Sequence, residues 1–306
     1  MNLPKLTGLI AATYTPFRPD GSLNLPAVEP LAAHLLRQGI TTVFIAGTTG
    51  ENHSLSLAER LALTERWVEI ARGTPLKIVV HVGGNCLSDA RALAAQAQAL
   101  GTVAIAATSP SYYKPRQVEA LVSCLAEIAS AAPEVPFYYY DIPSMTGVNL
   151  SSAEILPKAA EQIPSLAGLK FSNPDLMTYQ LCLRAGGGRF DVLWGSDEYL
   201  LAALALGGRG AVGSTYNFAA PIYHRLIRAF DAADLATARE EQFRSVRLVQ
   251  LLGDHPAGFM SAAKALMGLL GVDLGPARLP HPRLSPEAIV QLRAQLEKLG
   301  FFDWIR

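Results

Sequence analysis

Residues 77–108 read KIVVHVGGNCLSDARALAAQAQALGTVAIAAT, a strand, a helix and a second strand in one stretch. KIVVHVG is a short apolar, β-branched run. LSDARALAAQAQALG from Leu87 spaces its apolar residues as a helix does and ends in glycine, a common helix stop, and VAIAAT from Val103 then resumes strand character. The same alternation extends outward in both directions. Strand-like runs recur as GLIAAT from Gly8, TVFIA from Thr42, VPFYYY from Val135, LAGLK from Leu166, DVLWG from Asp191 and GAVG from Gly210, with helical patterns such as LAERLALTERWVEIARG from Leu57 between them. Strands alternating with helices imply a parallel sheet, and eight such units imply closure, so the expected fold is an α/β (β/α)8 TIM barrel. An open doubly wound sheet would usually carry a glycine-rich dinucleotide fingerprint after an early strand, and the glycine-poor turn after GLIAAT supplies none. Past the eighth strand come one barrel helix near Ala220 to Ala232 and helical stretches from Asp234, Ala257 and Ser285. The chain is therefore read as a barrel catalytic domain at 1–232 and a C-terminal helical extension at 233–306, the latter with few convergent polar groups.

At 306 residues the length suits one barrel of about 250 residues plus an appendage. Half the residues are hydrophobic and 17% are charged, which argues for a packed chain rather than a disordered one. With 26 basic and 26 acidic residues and no run of like charge there is no electrostatic footprint for nucleic acid or an anionic membrane, so a small neutral or anionic ligand is expected. Cys86, Cys124 and Cys182 are far apart and odd in number, which suggests neither a disulfide framework nor a zinc site and points to a reduced, cytoplasmic setting. The opening MNLPKLTGLIAATYTPF resembles neither a signal peptide nor a span of about 20 apolar residues. The six histidines lack metal-ligand spacing, and no P-loop or Ser-His-Asp arrangement is assignable, so no metal or organic cofactor is expected.

In such a barrel the active site forms at the C-terminal ends of the strands. Lysine is informative there, because the chain has seven lysines against nineteen arginines. Lys77 opens its strand and lies at the wrong end. Lys5, Lys114, Lys158 and Lys298 fall in a tail, a loop or amphipathic helices, where a solvated ammonium is ordinary, and Lys264 lies in the apolar helix MSAAKALMGLL, buried or snorkelling. Lys170 ends SLAGLK, which places it in the barrel mouth beside apolar neighbours, and desolvation favours the neutral, nucleophilic amine that imine formation needs. The competing reading is a structural ion-pair partner. VPFYYYDIPSMTG ends the fifth strand in three tyrosines; two are expected in core or interface positions, and Tyr140, the last, is placed to relay a proton. AGTTGEN ends the second strand in a tight turn whose N–H groups and hydroxyls, with Thr48 and Thr49, suit a carboxylate. WGSDE and VGSTYN bring Asp197, Glu198 and Ser214 to the same rim, either as polyol ligands or as acidic residues favoured at a helix N-terminus. Glu51 and His53 show no partner and are read as structural.

Together, GTTGE at 47–51, YDIPSMTG at 140–147 and GLK at 168–170 resemble the pyruvate-dependent lyase and synthase family that includes dihydrodipicolinate synthase and N-acetylneuraminate lyase, along essentially the whole chain. The resemblance implies a class I aldolase in which Lys170 forms the imine, Tyr140 shuttles protons, and Thr48 and Thr49 hold the keto-acid carboxylate. FYYYDIPSMTGV, GLKFSNPDL, WGSDE and AVGSTYN are similar to the sialic acid lyases, which implies cleavage of N-acetylneuraminate, with Ser172, Gly195, Asp197, Glu198 and Ser214 holding the hydroxyl chain. Met145 stands where the synthases usually place an arginine for a second carboxylate, a contact a thioether cannot make. Tyr112 matches a tyrosine that the family often sends into a neighbouring subunit's site, which implies a homotetramer. Asp141 stands where many relatives carry asparagine or histidine, and Asn149 where the lyases often carry lysine. The alternatives are another 2-keto-3-deoxy sugar acid aldolase, a dihydrodipicolinate synthase-like enzyme, or a non-catalytic keto-acid-binding barrel, the last disfavoured by retention of both Lys170 and Tyr140.

Overall fold

Eight short strands alternate with helices along the computed structural model, which describes residues 5–306. The order is β1 (Gly8–Ala12), α1 (Val28–Arg37), β2 (Thr42–Ile45), α2 (Leu57–Ala71), β3 (Lys77–His81), α3 (Leu87–Ala99), β4 (Ala104–Thr108), α4 (Val118–Ala129), β5 (Phe137–Asp141), the single turn α5 (Pro143–Thr146), α6 (Ser152–Gln162), β6 (Leu166–Phe171), α7 (Leu176–Arg184), β7 (Asp191–Trp194), α8 (Leu200–Ala205), β8 (Gly210–Gly213) and α9 (Tyr216–Asp231). All pairings are parallel and the barrel closes in sequence order, β8 returning to β1 with Gly8 opposite Gly210. The expected barrel forms. Its fifth strand starts at Phe137 rather than Val135, because Pro136 has no N–H to give to the ladder.

Alternation along each strand divides the barrel interior from the layer beneath the helices. Ile10, Phe44, Val79, Ala106, Tyr138 and Leu193 point inward and fill the interior, while their strand neighbours Leu9, Val43, Val80, Ile105, Tyr139 and Val192 pack outward against the helices. The three tyrosines of β5 separate accordingly. Tyr138 plugs the bottom of the barrel, its hydroxyl donating to Asp191 Oδ2 at 2.8 Å. Tyr139 joins the outer core, and Tyr140 alone reaches the top. Gly168 is required because a Cβ there would sit 1.8 Å from the Asp191 carbonyl oxygen, and the β5 to β6 register shifts beside it.

Beyond α9 the chain forms α10 (Leu235–Gly253), α11 (Gly258–Leu269), α12 (Pro286–Leu299) and the short α13 (Phe301–Trp304). Among the described residues no helix is long and apolar enough to cross a membrane. Lys264 of α11 is buried rather than snorkelling. Its ammonium donates to the carbonyls of Thr15 and Pro276, both at 2.9 Å, and to Glu51 Oε1 at 3.2 Å. Glu51, which shows no partner in the sequence, thus has one 213 positions away, and its other oxygen accepts from the Arg278 N–H at 2.8 Å. Burial pulls the Lys264 amine down to about 8, with Glu51 acting against that shift. Both side chains are 1% exposed, so removing one strands the other's charge. Lys264→Met is expected to cost about 3–5 kcal/mol in urea unfolding, and a loss below about 1 kcal/mol would mean that the pair contributes little. His53 stays on the surface beside the 277–283 loop.

Candidate active site

The inward-facing residues at the top of β5 and β6 and the turns after β2, β7 and β8 enclose a cavity of about 220 Å³. Its wall includes Thr48 and Thr49, Tyr140, Lys170 and Ser172, Gly195, Asp197 and Glu198, and Ser214. The site residues expected from the sequence therefore converge, with one exception, Tyr112. Sequence reasoning missed Ser144 and Ser196, which also line the cavity; both sit inside quoted motifs, but an isolated serine in a loop carries no signal of its own.

Lys170 is 4% exposed and pairs in register with Tyr140 on one side and Leu193 on the other. Its ammonium nitrogen lies 3.8 Å from the centroid of the Tyr140 ring and 4.6 Å from that of Phe44. Among the described residues it makes no hydrogen bond or ion pair, so the structural ion-pair reading of this lysine is not realised. An amine packed against aromatic faces with no committed acceptor is free to attack a carbonyl carbon.

The Tyr140 hydroxyl lies 3.3 Å from Thr48 Oγ1. Its ring is held edge-on by Phe44 and His81, with centroids at 5.6 and 5.7 Å. His81, missed in the sequence, donates from Nδ1 to the Ala46 carbonyl at 3.0 Å and accepts the Thr108 N–H at Nε2, 3.3 Å away. Burial holds its imidazole well below the ordinary range, so this ring is a neutral spacer behind Tyr140. Ala46 and Glu51, with φ of 53° and 55°, bracket the GTTG turn in left-handed conformations. Within it a Cβ on Gly50 would press to 3.0 Å on the Ala46 Cα. The turn closes through Glu51 N–H to Thr48 O (3.0 Å) and Asn52 N–H to Gly47 O (3.2 Å). That leaves the Thr48 and Thr49 N–H groups without an acceptor among the described residues, a concavity suited to an anion.

Asp197 and Glu198 are adjacent but differently committed. Asp197 is buried, and its Oδ2 accepts both the N–H (2.8 Å) and the hydroxyl (2.6 Å) of Thr215. Its side chain reaches to the turn after the neighbouring strand β8 and makes no capping hydrogen bond, although Asp197 and Glu198 both sit in the first turn of a short helix, as the helix-terminus reading expects. Burial pushes its carboxyl up to about 6. Glu198 is half-buried and lines the cavity without a hydrogen bond among the described residues. Gly195 is fixed by Ser172: a Cβ there would lie 2.0 Å from Ser172 Oγ, which instead donates to the Gly195 carbonyl at 3.3 Å.

The dihydrodipicolinate synthetase family model matches residues 5–299. The chain belongs to that family. It is 40% identical to the N-acetylneuraminate lyase of Rattus norvegicus over 303 residues, 98% of this chain and 94% of that protein. The structure of the Proteus mirabilis N-acetylneuraminate lyase superimposes with a TM-score of 0.94 at 37% identity, covering 97% of this chain and 100% of that one. The dihydrodipicolinate synthase of Cyanidioschyzon merolae gives a TM-score of 0.87 at 31% identity, with 96% and 98% covered.

Against the dihydrodipicolinate synthetase family pattern, four of the singled-out positions lie outside the cavity of the single chain. Tyr112 is 77% exposed and stands edge-to-face with Tyr113, ring centroids 5.1 Å apart. Asn149 shares a separate groove with these tyrosines. Met145 is 63% exposed and does not line the cavity. Asp141 is buried but faces away from the mouth, accepting from Ser152 Oγ at 2.9 Å and Asn173 Nδ2 at 3.4 Å, while its carbonyl takes the Ser172 N–H at 2.8 Å. It thus braces the loop that carries Ser172.

Burial raises the Asp141 carboxyl from 3.8 to about 6. The folded state then takes up this proton before the unfolded chain does, so stability is gained as pH falls from about 6 towards 4, and above pH 6 the buried charge opposes folding. Asp141→Asn is expected to flatten that part of the stability profile and to raise the urea midpoint at pH 7.5 relative to the parent. Parallel profiles for the two proteins would show that Asp141 does not titrate in this window.

Proposed function

We propose that the chain is a class I aldolase that cleaves N-acetylneuraminate to N-acetylmannosamine and pyruvate through an imine on Lys170. The observation that carries the reading is the Lys170 amine, unpaired among the described residues and lining one cavity with the Tyr140–Thr48 pair and with Asp197, Glu198 and Ser214. The names of its relatives at about 40% identity support the same substrate. In this cycle the N–H groups of the GTTG turn, with Thr48 and Thr49, hold the carboxylate of the open-chain 2-keto acid while neutral Lys170 attacks C2 and water leaves. The protonated imine is the electron sink, so the cycle is written without a metal or organic cofactor. Tyr140, through the substrate carboxylate and the Thr48 hydroxyl, takes the proton from the C4 hydroxyl. The C3 to C4 bond then breaks, its electron pair forming an enamine, and N-acetylmannosamine departs. Protonation of C3 and hydrolysis of the imine release pyruvate. Ser172, Gly195, Asp197, Glu198 and Ser214 hold the hydroxyl chain through this sequence.

The exposed Tyr112 and Tyr113 fit an assembly in which Tyr112 enters a neighbouring subunit's mouth as part of the proton relay. We read the protein as a cytoplasmic homotetramer acting on small 2-keto acids rather than on nucleic acid or membrane. The test is a product assay with N-acetylneuraminate, with a 2-keto-3-deoxy sugar acid, and with pyruvate plus aspartate semialdehyde. Release of N-acetylmannosamine and pyruvate from the first, well above the turnover of the others, is the expected result. Preferential use of either alternative would reassign the substrate.

A further inference from the structure

A row of buried hydroxyls runs from the cavity wall through α9 to the face of α10 packed against it. Thr215 Oγ1 is 2.6 Å from Asp197 Oδ2 and 2.6 Å from the Tyr223 hydroxyl, which is 2.7 Å from Ser245 Oγ. Thr215, Tyr223 and Ser245 are each 0% exposed. Each hydroxyl has one proton, which fixes the direction of the whole row. The Thr215 proton goes to the carboxylate, so Tyr223 must donate to Thr215, and Ser245 must donate to Tyr223. Such a row polarises each member in the same sense and strengthens the final bond to the charged acceptor. The Tyr223 ring is itself fixed edge-to-face against Tyr216, with centroids 4.7 Å apart.

The geometry at Asp197 shows what this row achieves. Oδ2 already accepts two hydrogen bonds from Thr215. Oδ1 lies so close to β8 that a Cβ on Gly213 would be 1.8 Å from it. The carboxylate plane is therefore held from both sides, which fixes the direction in which Asp197 accepts hydrogen bonds. We infer that Tyr223 and Ser245 are positioning residues for the hydroxyl-chain end of the substrate, acting through Thr215 to hold Asp197. The inference rests on the reading of Asp197 as a ligand of that chain. Neither residue lines the cavity, so both act only through the row.

The two ends of the site separate the readouts. Tyr223→Phe is expected to raise KM for N-acetylneuraminate about tenfold, roughly the worth of one hydrogen bond between neutral groups at the upper end of its range, with kcat changed less than about threefold. The pyruvate concentration needed for half-maximal borohydride trapping should not move, because pyruvate has no hydroxyl chain. Ser245→Ala should show the same split more weakly and Ser245→Thr, which restores a hydroxyl, should reverse it; this pair reads the row if the tyrosine variant does not fold. Wild-type protein runs in parallel. A wild type that forms no pyruvate adduct overturns the imine reading beneath this inference. A normal wild type beside variants whose sugar KM is unchanged, or whose sugar and pyruvate values move together, overturns the positioning role alone.

Discussion

Lys170→Ala is expected to reduce cleavage of N-acetylneuraminate by at least about 10⁴-fold, to the background of the assay. Imine formation is the step that makes C3 to C4 cleavage accessible, and rate enhancements of 10⁶ or more are ordinary for enzymes, so losing the covalent route leaves little. Among the described residues no second amine lines the cavity. The next buried lysine, Lys264, is committed to Glu51 and two carbonyls. Because the Lys170 ammonium makes no hydrogen bond or ion pair among the described residues, its removal breaks no polar network, and thermal unfolding should change far less than activity. A coupled assay for pyruvate release, alongside a melting curve, checks both halves. Turnover within tenfold of the parent would remove Lys170 from the mechanism.

The second large effect belongs to Tyr140. Tyr140→Phe keeps the ring wedged against Phe44 and His81 and deletes only the hydroxyl that lies 3.3 Å from Thr48 Oγ1. Turnover should fall by about 10²–10⁴, the usual worth of a positioned proton carrier. The amine is untouched, so pyruvate should still be trapped on Lys170. The division between chemistry lost and imine retained is the signature: if trapping is lost together with turnover, Tyr140 acts on imine formation or on packing, and if turnover survives, another group carries the proton.

What the chain discloses before folding depends on how local the determinant is. Strand β5 is legible because alternation sets Tyr139 on the opposite face from Tyr138 and Tyr140, of which Tyr140 lies nearer the C-terminal end, and Lys170 because a lysine near the end of an apolar strand falls at the barrel mouth. Asp197 and Glu198 were not separable. Their difference arises from Thr215, 18 positions on, which claims one carboxylate and leaves the other facing the cavity. The partner of Glu51 was equally invisible, since Lys264 arrives from a helix beyond the barrel and nothing near either residue announces the other. His81 had a faint signal as a polar residue ending the apolar run KIVVHVG on the inward register. Tyr112 reads as a functional residue only if a second copy of the chain is considered, and in the single chain it remains at the surface.

The most direct test of the account is borohydride reduction in the presence of pyruvate, followed by intact mass and peptide mapping. The account predicts one pyruvate-derived adduct per chain, located on the peptide that carries Lys170 and absent from Lys170→Ala. An adduct on a different lysine, or no adduct under conditions in which the enzyme turns over, would contradict it.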